Sequence, residues 1–75
     1  MSRKLINQNL LRSQMMLAGV NIKTLADAQG WSTTTAYRKI SGKVAFTAPE
    51  IRICSDLLSL DPETACEIFF TSNLS

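Results

Sequence analysis

The chain contains no histidine. It therefore lacks the side chain that most often serves as general base or proton shuttle near neutral pH. No nucleophile–base pair takes its place, and its three glycines form no phosphate-cradling loop. An enzyme is not expected, and neither a cofactor nor a small-molecule ligand is implied. Cysteine is scarce too, limited to Cys54 and Cys66. Two thiols without histidine cannot complete a four-ligand zinc site, so no metal is expected. Both cysteines fall at apolar positions of expected helices, which favours reduced core thiols over a disulfide.

Long apolar runs are missing as well. None approaches the ~18 residues that suggest a membrane span. The N-terminal MSRKLINQNLL has neither the continuous apolar region nor the small-residue cleavage site of a secretion signal. No membrane partner is expected, and the expected location is cytoplasmic. What the chain does have is 45% apolar residues against 19% charged over 75 residues. That is the composition of one small globular domain, 1–75. A core of this size is marginally stable, so pairing of two chains is a natural supplement.

The net charge of +2 says little, but its distribution says more. Through Lys43 the chain carries seven bases (Arg3, Lys4, Arg12, Lys23, Arg38, Lys39, Lys43) and one acid, Asp27. From Val44 onward it carries one base, Arg52, against five acids (Glu50, Asp56, Asp61, Glu63, Glu67). Such asymmetry points to a basic face for a polyanion and an acidic end turned away from it, with chance clustering in a short chain as the bland alternative.

Five helices are expected and no strand, because no segment alternates well enough. Residues 1–7, with Arg3 and Lys4, read as a basic arm, and 71–75 as a tail. Asn7 or Asn9 can cap a first helix ending near Ala18, where Gly19 suits the C-terminus. Leu11, Met15 and Ala18 share one face of it, with Leu10 and Leu17 beside them. Asn21 caps a second helix, Ile22 to Gln29, whose Leu25 and Ala26 face inward. Gly30 permits a sharp turn, Trp31 anchors it, and Ser32 caps a third helix from Thr33 to about Ile40. Ala36 and Ile40 are its inward residues; Thr34, Tyr37, Arg38 and Ser41 point mostly outward. Phe46 is expected to plug the core. Thr47 and Glu50 have the spacing of a capping box before a fourth helix, about Ala48 to Ser59. Asp61-Pro62-Glu63 opens a fifth, to about Phe70, with Ala65, Ile68 and Phe69 as its apolar side.

These pieces, in this order, resemble the Cro/repressor-type helix-turn-helix regulators of phages and bacteria, the XRE family. The resemblance runs from about Leu10 to Phe70. It is carried by L-A-x-x-x-G-W-S (Leu25 to Ser32), Y-R-K-I-S-G-K (Tyr37 to Lys43), F-T-x-x-E-I (Phe46 to Ile51), and D-P-E followed by E-I-F-F. It implies a compact, all-α, five-helix lambda-repressor-like domain that reads double-stranded DNA through its third helix. Three positions depart from the family pattern. Ile22 stands where a backbone-contacting Gln is common. Gln29 stands where an apolar residue is usual, and its amide needs a partner if buried. Met15 and Ile40 replace an Arg–Glu pair that links helices one and three in many members.

The resemblance places Thr33, Thr34 and Arg38 at base-reading positions, with Tyr37 adjacent. Their chemistry is compatible: arginine can bond guanine O6 and N7 together, and a threonine methyl can pack on that of thymine. Tyr37 could instead pack its ring onto the domain. Ser32, Lys39 and Lys43 are phosphate candidates, followed by Lys23 and Arg12. Ile53 and Leu57 form a second apolar row on the fourth helix. With Leu60 or Phe70 they could make a symmetric homodimer contact suited to a palindromic operator, or simply pack under the C-terminal tail. The rival function is a protein-interaction module on the same fold, an antirepressor or antitoxin-like partner binding through its apolar C-terminal helices.

Overall fold

The structure, a computed structural model, describes residues 6–70. Arg3, Lys4 and the 71–75 tail lie outside the described residues. Among those described, five helices form an all-α domain: α1 (Gln8–Ala18), α2 (Ile22–Gln29), α3 (Thr33–Ile40), α4 (Ala48–Leu58) and α5 (Pro62–Phe69). Every helix starts on a short polar side chain that accepts from the amide three residues on: Asn7, Asn21, Ser32, Thr47 and Asp61. Each cap satisfies a donor that has no partner within the helix, worth about 1 kcal/mol apiece. The Thr47–Glu50 capping box is complete, the Thr47 amide donating to Glu50 Oε1 at 2.9 Å.

Helix ends follow a similar logic. Gly19 and Gly30 adopt left-handed φ of 70° and 76° and close α1 and α2. A β-carbon at Gly30 would meet nothing within 4 Å, so conformation rather than crowding calls for glycine there. Ser59 does the same for α4 at φ 54° without being glycine, a strain that the sequence pattern does not announce.

The core is a cluster around Leu11, Leu25, Ile40, Cys54 and Ile68, all fully buried. α2 lies against α3 and α4, while α1 packs on α3, α4 and α5. Met15 and Ile40 are both in this cluster, so α1 and α3 meet there through apolar packing instead of an ion pair. That exchange avoids desolvating two charges. Trp31, Phe46 and Phe69 form a chain of edge-to-face rings, with centroids 5.6 and 5.0 Å apart.

Several expectations are corrected. Ile6 is not part of a loose arm: it is buried in the core, and the Asn7 amide donates to the Ile68 carbonyl at 2.8 Å, tying the residues just before α1 to α5. Ala18 and Leu17 are exposed, although Leu11 and Met15 of the same helix are buried. Cys54 is buried as expected, and burial pushes its thiol up to about 12. Cys66 is exposed, since Ile68 and Phe69 fix the inward side of α5 and leave Cys66 on the other.

Candidate functional site

α2 and α3 are joined by Gly30, Trp31 and Ser32. The Trp31 amide donates to the Ala26 carbonyl at 2.8 Å, closing the turn around the small residue that lets the helices approach. Ser32 then caps α3, its hydroxyl oxygen accepting from the Thr35 amide at 3.1 Å. The first amides of a helix have no partner within it, so those of Thr33 and Thr34 point outward from the start of α3.

The outer face of α3 carries four side chains the sequence selected. Thr33, Thr34 and Arg38 are exposed, and Tyr37 is 55% exposed. Beyond α3 the chain wraps back on the helix end. The Arg38 carbonyl accepts from the Lys43 amide at 3.0 Å, the Val44 amide at 3.2 Å and the Ser41 hydroxyl at 3.2 Å. This wrap brings Lys43, also exposed, to the same end of α3 as Arg38. Ser32, Lys23 and Arg12 are exposed too. Lys23 pairs with Asp27 at 3.3 Å across one turn of α2, a solvated contact of small energy.

Lys39 does not join that surface. It is 8% exposed, and its ammonium donates to Glu50 Oε1 at 2.7 Å and to the Ala45 carbonyl at 3.0 Å. It also stands 5.3 Å from the centroid of the Trp31 ring. A phosphate cannot reach it without breaking these contacts. The reason is register: Ala36, Lys39 and Ile40 fall at i, i+3 and i+4 and share the inward face. The signal for this was present in Glu50, the acid that pairs with Lys39 on that face.

Glu50 is the residue that sequence reasoning undervalued. Its Oε1 accepts from Lys39 and from the Thr47 amide, and its Oε2 accepts from the Trp31 indole N–H at 3.2 Å. Its backbone carbonyl accepts from Gln29 Nε2 at 2.8 Å. One residue thus joins the end of α2, the turn, the inner side of α3 and the start of α4. Burial by itself would raise the Glu50 carboxyl. The bonds from Lys39, Thr47 and Trp31, with the charge of Lys39, outweigh it and hold the group below its ordinary 4.5. Gln29 finds half of the partnership its amide needs: Nε2 is satisfied, while Oε1 is buried with no partner among the described residues.

The four dimer candidates divide. Ile53 and Phe70 stay exposed, whereas Leu57 and Leu60 pack against the core cluster and are partly used by the monomer. Two further large apolar side chains, Leu17 and the Met16 that the sequence did not single out, are more exposed than either.

Comparison with protein-family models, with curated proteins and with solved structures finds no match for this chain. Function is therefore argued from the residues themselves.

Proposed function

We propose that this chain is a DNA-binding regulator of the Cro/repressor type, with α2 and α3 as a helix-turn-helix and α3 as the helix that enters the major groove. More particularly, it is a cytoplasmic repressor that acts by occupying a promoter. The carrying observation is the outer face of α3, where Thr33, Thr34, Tyr37 and Arg38 are all exposed, while on the inner face Lys39 donates to Glu50, which also accepts from the Trp31 indole. A helix fits the major groove, and side chains near its N-terminus then meet base edges. Arg38 suits a guanine, and the threonine methyls suit thymine. Lys43, Arg12, Lys23 and the free amides at the start of α3 serve phosphates, while Ser32 Oγ is engaged as the cap. Lys39 is withdrawn from the phosphate group and becomes a support.

One helix reads only a few base pairs. Two copies on a palindromic operator extend the site, and Ile53 on the exposed side of α4 is the available apolar contact for a two-fold pair.

Selection of bound sites from random duplexes, followed by titration over a range of salt, tests this directly. Binding should weaken with salt, the logarithmic slope growing by about 0.9 per phosphate neutralised. Lys43→Ala should lower that slope by about 1 and weaken all sequences alike. Salt-independent binding, or no enrichment of any site, would remove the proposal.

A further inference from the structure

The C-terminal half of α1, the start of α2 and Tyr37 enclose an open groove of about 520 Å³. Met15, Val20, Ile22 and Ile40 give it an apolar floor. Met16 stands at its edge, 82% exposed. Among the described residues, the charged side chains lining it are two cations, Arg12 and Lys23. Such a floor cannot solvate a phosphate, so DNA is a poor occupant for the groove itself. It suits an apolar side chain flanked by carboxylates, and a methionine edge adapts readily to an inserted ring.

A surface of that chemistry exists on the same molecule. Glu63, Cys66 and Glu67 on α5, and Phe70 at its C-cap, are all exposed. They fall at i, i+3, i+4 and i+7, the spacing of one helical stripe. The stripe ends in an aromatic ring that is 47% exposed and carries two carboxylates one turn apart. No ion pair involves Glu63, Glu67 or Arg12 among the described residues, and the pair between Lys23 and Asp27 is exposed and easily exchanged. We propose that the groove of one copy receives the α5 stripe of a second, Phe70 entering above Val20 and Ile22 while Glu63 and Glu67 face Arg12 and Lys23.

The contact joins two different surfaces, so it is head-to-tail and leaves each end of a pair free for another copy. It is distinct from a two-fold contact through Ile53. The groove is small, which makes the association weak, in about the 10–100 µM range. Arg12, Lys23 and Tyr37 also belong to the proposed DNA face, so an occupied groove competes with DNA; this consequence alone rests on the DNA reading.

Sedimentation without DNA tests the contact. Wild-type mass should rise between about 10 µM and 1 mM and fall back with added salt. Arg12→Glu and Glu67→Arg should each weaken association by about tenfold, because like charges then meet across the contact. An equimolar mixture of the two variants should restore it, since each groove again finds an opposite stripe. Met16→Asp and Phe70→Ser should abolish it with unchanged circular dichroism, both sites being exposed. A wild type that stays monomeric throughout this range overturns the proposal and leaves the groove to a different protein. Charge variants that associate like wild type, or a mixture that fails to recover, also overturn it.

Discussion

Arg38 and Lys39 are neighbours on one eight-residue helix, carry the same charge, and have opposite fates. Arg38 is exposed and in no ion pair among the described residues. Lys39 is buried and bound to Glu50 and Ala45. One step along a helix turns a side chain by about 100°, which is enough to move a cation from solvent to the domain interior. The two faces of α3 therefore do different work. The inner face fixes where the helix lies against α2 and α4, and the outer face is left exposed. A count of basic residues cannot separate these roles; the helical register and the position of the nearest acid can.

The largest effect should come from disrupting the inner face. Glu50→Ala removes the partners of Lys39, the Thr47 amide and the Trp31 indole together and leaves a nearly buried ammonium without its carboxylate. A loss of about 2–4 kcal/mol is expected, toward the lower end of buried ion pairs because both side chains keep some solvent contact. Chemical denaturation checks this, and a loss under 1 kcal/mol would mean that α3 is held by apolar packing alone.

Acid should reach the same face more gently. Glu50 has a lowered folded pKa, so its contribution is full above 4.5 and is lost as pH falls through the folded value. Asp61, held below 3.8 by its bonds to Thr64, loses its contribution in the same direction. Glu50→Gln should therefore lower the melting temperature at pH 7, and flatten its fall between pH 5 and pH 3 without abolishing it. A variant with the wild-type acid profile would show that the Glu50 charge is not what anchors Lys39.

The smallest effect separates the two cysteines. Under native conditions a thiol reagent should modify Cys66 once per chain and spare Cys54, whose burial pushes its thiol to about 12. Both should react in denaturant. Native labelling of two thiols would place Cys54 outside the core.

Much of the fold was legible because helix starts are written locally. A cap needs one short polar side chain at one position, and Asn21, Ser32, Thr47 and Asp61 stand where the chain needs them. What was not legible depends on partners distant in sequence. Ile6 looks like part of a polar start until α5 arrives beside it, and Leu17, next to the apolar face of α1, stays exposed while Leu11 and Met15 are buried. Ser59 closes α4 in a glycine-like conformation that a serine does not signal. At the candidate site the outer residues of α3 followed from periodicity. Lys39 did not, because lysine on a short helix is ordinarily solvated, and only the carboxylate eleven residues on reverses that.

The most direct measurement is the affinity of Arg38→Ala for the selected duplex and for an unrelated one, with folding stability measured alongside. Because Arg38 bears on the free face, stability should change by less than about 0.5 kcal/mol. Affinity for the selected site should fall by about 1–3 kcal/mol, with preference relaxed at one base pair and binding to the unrelated duplex much less affected. Equal loss on both duplexes would reduce Arg38 to a phosphate contact, and no loss on either would contradict the assignment of the outer face of α3 to DNA.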